Sequence, residues 1–113
     1  MIDINAKIRA YLLYLKQCKE LDAKYDLDHN EIKLLNEVAL AIMSNQPLTV
    51  SKALELQAIA SPATIHAAMK RLVVKQMLVQ IPALDSRTKY LELTKLGLKR
   101  YSELSEITIS STK

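Results

Sequence analysis

The chain has 113 residues, half of them apolar and a quarter charged, and its 16 basic and 12 acidic side chains leave a net charge of +4. That length supports a core without disulfide or metal staples, and the composition excludes a disordered tail for the bulk of the chain. One glycine, Gly97, excludes a glycine-rich phosphate cradle, and one cysteine, Cys18, excludes an internal disulfide and a cysteine-based zinc site.

No run approaches the roughly 20 apolar residues of a membrane span, and the opening MIDINAKIRAYLLYLK, with Lys7, Arg9 and Lys16, reads as an amphipathic helix and not as a signal peptide. A free thiol suits a reducing cytoplasm, the expected location. No HExxH, CxxC or GxSxG motif occurs, and His29 and His66 stand far apart, so no catalytic site, metal site or cofactor is expected.

Ile4, Ile8, Tyr11, Leu15 and Cys18 follow at spacings of four, three, four and three, which predicts a helix from about residue 4 to about Lys24. The YLLYL run spreads apolar side chains over further faces, more than one small core covers. Ile4, Ile8, Tyr11, Leu12, Tyr14 and Leu15 are therefore candidates for a homodimer interface, against the alternative that the helix is buried by its own domain. Leu27 to Ile32, LDHNEI, has the spacing of a capping box with a hydrophobic staple and starts a second helix, which Ser44-Asn45-Gln46-Pro47 ends. Thr49 caps a short third helix.

Ser61-Pro62 starts a fourth helix, running to about Lys75. Ile65, Ala68, Met69 and Leu72 form its buried stripe; Ala63, Ala67 and Lys70 point outward, flanked by Thr64, His66 and Arg71. LVQI from Leu78 and KYLEL from Lys89 read as two short strands joined by a loop, Thr94 caps a last helix, and residues 107–113 read as a frayed tail. The expected fold is mainly α with a small β-hairpin, one domain over residues 1–106.

Residues 61–90 hold Lys70, Arg71, Lys75, Arg87 and Lys89 against Asp85 alone and so account for the whole +4, because the other segments sum to zero. Such a cluster is a polyanion footprint or a solvated basic surface. Three helices followed by a hairpin, with the charge on the third helix of the trio and on the hairpin, is the layout of a winged helix-turn-helix. Small outward residues near the helix N-terminus suit a major groove, and a basic hairpin suits the neighbouring minor groove or phosphates.

SPATIHAAMKRL, Ser61 to Leu72, resembles the recognition helix of the MarR-type (multiple antibiotic resistance regulator) winged-helix proteins of bacteria. DSRTKYLELTKLG, Asp85 to Gly97, resembles their wing: Asp, one residue, Arg, then a hydrophobic strand ending in Leu-Thr with Gly three residues on. The resemblance covers about residues 28–104, and the first helix fits the family's dimerisation helix by position. It implies a homodimeric transcriptional regulator that binds double-stranded DNA sequence-specifically, with Arg87 in the minor groove and Asp85 holding its guanidinium. Thr64, His66 and Lys70 are candidates for hydrogen bonds in the major groove, Ala63 and Ala67 for contact with thymine methyls, and Ser61, Arg71 and Lys89 complete the candidate surface.

Two departures stand out. Where the family places glycine after the recognition helix this chain has Gln76, which costs about 1 kcal/mol in a left-handed cap unless the turn differs. The C-terminal helical region is shorter than the family's, so a small-molecule effector has no support in the sequence. Some relatives sense peroxide through a lone N-terminal cysteine, whereas Cys18 falls on an apolar stripe and reads as a packed hydrophobe. The competing reading is a winged helix used as a protein-interaction module in a replication, plasmid or phage assembly; the basic segment favours DNA.

Overall fold

A computed structural model describes residues 4–111. The elements are α1 (Ala6–Lys24), α2 (His29–Met43), α3 (Val50–Leu54), α4 (Pro62–Val74), β1 (Leu78–Pro82), β2 (Lys89–Leu93) and α5 (Lys95–Ser111). Their contacts group into two compact units, Asp28–Leu98 and the flanking segments that end at Leu27 and resume at Lys99. No linker marks the division in the sequence.

In the Asp28–Leu98 unit the capping box forms as expected: the Asp28 carboxylate accepts from the Glu31 amide at 2.8 Å, and the Glu31 carboxylate accepts from the Asp28 amide at 3.1 Å. Two orphan amides of the first turn are thereby satisfied. Leu34, Leu35 and Val38 of α2 meet Ala53 of α3 and Ile65, Ala68, Met69 and Leu72 of α4 in the core, which Met77, Leu78 and Leu91 extend under the hairpin. The strands pair antiparallel, from Leu78 opposite Leu93 to Pro82 opposite Lys89. Thr49 bridges Tyr90, and the Leu91 amide donates to the Leu48 carbonyl at 2.8 Å, so the turn before α3 covers the outer edge of β2.

Helix α4 ends in a Schellman motif: the Gln76 amide donates to the Val73 carbonyl and the Met77 amide to the Leu72 carbonyl, with Gln76 at φ 62°. Gln76 therefore occupies the left-handed position that suits glycine. Asn45 after α2 does the same at φ 57°. The single glycine serves a different need. A Cβ on Gly97 would stand 2.6 Å from the Met77 carbonyl oxygen, so only a bare Cα lets the first turn of α5 lie against the start of the wing. The same carbonyl accepts from the Thr94 amide at 3.2 Å, the Thr94 hydroxyl donates to the Gln76 carbonyl, and Thr94 Oγ1 accepts from the Gly97 amide at 3.1 Å.

In the other unit α1 starts at Ala6, later than the periodicity suggests, because the Asn5 side chain caps it by accepting from the Ile8 amide at 3.1 Å; Ile4 lies before the helix. Asp26, at φ 55°, closes α1 in a third Schellman motif. Arg100 is buried on Asp22, with Nε 2.8 Å from Oδ1 and the guanidinium over the Tyr101 ring, while its buried Nη1 has no hydrogen-bond partner among the described residues. Glu103 accepts from the Tyr25 hydroxyl and pairs with Lys24; that hydrogen bond, then burial, pushes Tyr25 up to about 12. The tail expected from residue 107 is helical through Ser111. Hydroxyls here find partners inside the helix, Ser105 donating to the Tyr101 carbonyl and Thr108 to the Leu104 carbonyl. Residues 112 and 113 of that expected tail lie outside the described residues.

The turn geometry makes opposite predictions for two conservative changes. Gln76→Gly relieves a left-handed side chain and should stabilise the chain by about 0.5–1 kcal/mol, the left-handed cost less glycine's entropy. Gly97→Ala should destabilise it by about 1–3 kcal/mol, since the obstacle is a backbone oxygen. Urea unfolding of both variants gives the two signs.

Candidate nucleic-acid interface

Helix α4 is oriented by its apolar stripe. With Ile65, Ala68, Met69 and Leu72 all buried, the 3.6-residue period leaves Ser61, Ala63, Thr64, His66, Ala67 and Lys70 exposed. Ser61 caps the helix: its oxygen accepts from the Thr64 amide at 3.3 Å, and its hydroxyl donates to Thr64 Oγ1 at 3.0 Å. The Thr64 hydroxyl proton is thus left to be donated outward. Pro62 follows at the first helical position, where no amide is needed.

Arg71 is exposed but engaged. Its Nη2 lies 2.9 Å from Asp28 and its Nε 3.8 Å from Glu31, while Lys75 Nζ lies 2.8 Å from Glu31, whose side chain is only 1 % exposed. Two of the five cations counted in the basic segment therefore neutralise the capping box of α2. The Asp28 carboxyl feels burial most, which raises it, but its hydrogen bonds with Glu31 and the Arg71 guanidinium outweigh burial and hold it below the usual 3.8. Lys70, Arg87 and Lys89 are exposed and make no ion pair among the described residues.

The wing loop corrects one expectation. Asp85 does not hold the Arg87 guanidinium; its Oδ1 accepts from the Arg87 amide at 3.1 Å and the Thr88 amide at 2.9 Å, and its Oδ2 from the Thr88 hydroxyl at 3.1 Å. A short carboxylate reaches backbone amides two and three residues on more readily than the end of a long side chain, the usual aspartate turn. Ser86 stands at φ 63°, its amide donating to the Ala83 carbonyl at 3.0 Å, and the Ala83 amide donates to the Thr88 carbonyl at 2.8 Å. Asp85 thus orders the loop and leaves the Arg87 side chain without a partner among the described residues. Sequence reasoning missed this, although Asp followed by Ser-Arg-Thr is an aspartate-turn signal.

The Thr88 amide and then the Thr88 hydroxyl hold the Asp85 carboxyl below 3.8. A depressed carboxyl contributes its ordering above its unfolded value and loses it as pH falls through the lower, folded value. The Arg87 and Thr88 amide resonances should therefore stay constant from neutral pH down to about pH 4 and move together only below it. NMR titration that finds the midpoint at or above the ordinary aspartate value would contradict this loop geometry.

No family model and no curated protein matches the sequence. Solved structures do match. The MepR–DNA complex of S. aureus is similar at a TM-score of 0.73 and 16% identity over 90% of this chain and 75% of that one. A mutant MarR from E. coli is similar at 0.63 and 16% identity, over 95% and 74% of the two chains. NadR in complex with 4-hydroxyphenylacetate is similar at 0.61 and 22% identity, over 95% and 74%. Five helices and a two-stranded hairpin, in the order found here and matched along nine-tenths of the chain, give this protein the winged helix-turn-helix fold of the MarR-type regulators.

Proposed function

We propose that this protein is a cytoplasmic transcriptional regulator that binds double-stranded DNA as a homodimer, α4 entering the major groove and the wing the adjacent minor groove. The observation that carries the reading is the outward face of α4, where small and neutral polar side chains, Ala63, Thr64, His66 and Ala67, precede the unpaired cation Lys70. Small residues let a helix approach base edges closely, and a cation supplies attraction to phosphate without a competing internal partner. Arg87 and Lys89 offer the same unpaired charge on the wing. The similar MepR fold in complex with DNA adds support.

In this reading the Thr64 hydroxyl donates to a base acceptor, His66 offers a ring nitrogen, and Ala63 and Ala67 pack on thymine methyls. Arg87 responds to groove width and potential more than to base identity. Asp85 contributes by shaping the wing and Arg71 by fixing α4 to α2.

The homodimer rests on α1. Ile4, Ile8, Tyr11, Leu12 and Leu13 are exposed, Tyr14 and Leu15 are half-buried, and Leu21, with 9 % of its surface exposed, is the only buried apolar residue among the described residues of its unit. So little apolar burial leaves that unit short of a core, and a second copy of the same surface would complete one.

The DNA reading predicts a split between two kinds of variant. Arg87→Ala should weaken binding at all related sites by similar factors and reduce the log–log salt slope by about 0.9, one phosphate's worth. Thr64→Ala should leave the slope unchanged and re-rank sites by about 1–3 kcal/mol. Salt titrations of duplex binding by fluorescence anisotropy measure both, and an Arg87→Ala protein indistinguishable from the parent at every salt concentration would favour a protein-interaction module instead. For α1, replacing Leu12 and Tyr14 with glutamate should convert a dimer at tens of micromolar into a monomer by light scattering, a concentration chosen roughly on affinity arithmetic. A parent protein that is already monomeric there contradicts the interface.

A further inference from the structure

Leu84 is the most exposed large hydrophobic side chain among the described residues, at 107 % of its reference area. Its loop backbone is tied by hydrogen bonds. Leu84 and Asp85 are the central residues of the turn closed by the Ser86 amide on the Ala83 carbonyl, and the Asp85 carboxylate ties the far side of the loop through the Arg87 and Thr88 amides. Below the turn the Ala83 amide and the Thr88 carbonyl continue the strand pairing. The result is an apolar side chain presented at the tip of a braced hairpin, with two unpaired cations, Arg87 and Lys89, a few residues away.

A cation at a wing tip is explained by phosphates, but a leucine beside it is not. Phosphates and water give an apolar side chain no partner. The place on a duplex that accepts both chemistries is a minor groove in which one base step opens: arginine occupies the groove's negative potential, and an aliphatic side chain enters between partly unstacked bases. We propose that Leu84 is such a wedge, entering the minor groove beside Arg87, opening one base step and bending the duplex. This rests on the DNA-binding reading above and adds a specificity determinant to it. Pyrimidine–purine steps unstack most easily, so the wedge makes the protein prefer TA or CA under the wing tip without a hydrogen bond to either base.

The test uses the full chain and a duplex chosen by the parent protein from a randomised pool, then varied one base step at a time. Three quantities are read: affinity, bend from energy transfer between end labels, and the emission of 2-aminopurine placed at each step. The parent should bend the duplex, raise 2-aminopurine emission at one step, and favour TA over AA there by about tenfold. Leu84→Ala, at a site with no packing to lose, should keep the melting temperature and the salt slope but lose the bend, the emission and the step preference. Leu84→Phe should restore all three. If Leu84→Ala bends DNA and ranks steps as the parent does, while Arg87→Ala still weakens binding, the wedge is overturned and the DNA reading stands. If the parent binds no duplex, the DNA reading fails and the wedge with it.

Discussion

One backbone oxygen, the carbonyl of Met77, fixes how the parts of the Asp28–Leu98 unit meet. It follows directly on the left-handed residue that ends α4, it opens the wing, it accepts the amide of Thr94 at the end of β2, and it leaves room for α5 only because Gly97 has no side chain. The Thr94 hydroxyl closes the neighbouring carbonyl of Gln76 while Thr94 Oγ1 caps α5. The contiguous end of α4 and start of β1 are thereby joined to the contiguous end of β2 and start of α5. Displacing α5 by one methyl group would disturb the end of α4 and the base of the hairpin together, the two parts of the proposed DNA surface.

Charge is sorted by the same unit. Glu31 serves the capping box and is then buried beneath Arg71 and Lys75, so these two cations hold α4 to the start of α2. A buried carboxylate is tolerated only with partners, and α4 supplies them at its C-terminal end, where cations also suit the helix dipole. Of the five cations in residues 61–90, the three that make no ion pair among the described residues, Lys70, Arg87 and Lys89, lie on the outward face of α4 and on the wing. The segment is basic in sequence, yet the outward-directed charge is smaller and more localised than its composition suggests.

The local signals were legible. The LDHNEI box, Ser61-Pro62, the four-residue stripe of α4 and the cap at Thr94 all describe bonds between residues a few positions apart, and each forms as its spacing predicts. The buried Arg100–Asp22 pair spans 78 residues and has no local signature. Arg71 looked like a surface cation because its partners, Asp28 and Glu31, lie about 40 positions upstream, on a different helix. The grip of Asp85 on the Arg87 guanidinium, which the family resemblance implies, is absent for another reason: the donors nearest the carboxylate are the Arg87 and Thr88 amides. In the outward face of α4, the identities of the exposed residues followed from the stripe alone, but their engagement with one another, such as Ser61 with Thr64, depended on the cap.

Helix α4 and the wing form the two halves of the proposed DNA surface, and the most direct measurement of their joint role is a residue-resolved map of what DNA touches. Amide and side-chain resonances followed during titration with a short duplex at low salt should shift in Ser61–Lys70 and in Ala83–Lys89, and these shifts should fade together as salt is added. Shifts confined to one of the two segments, or gathered on α1 while both stay unmoved, would contradict it.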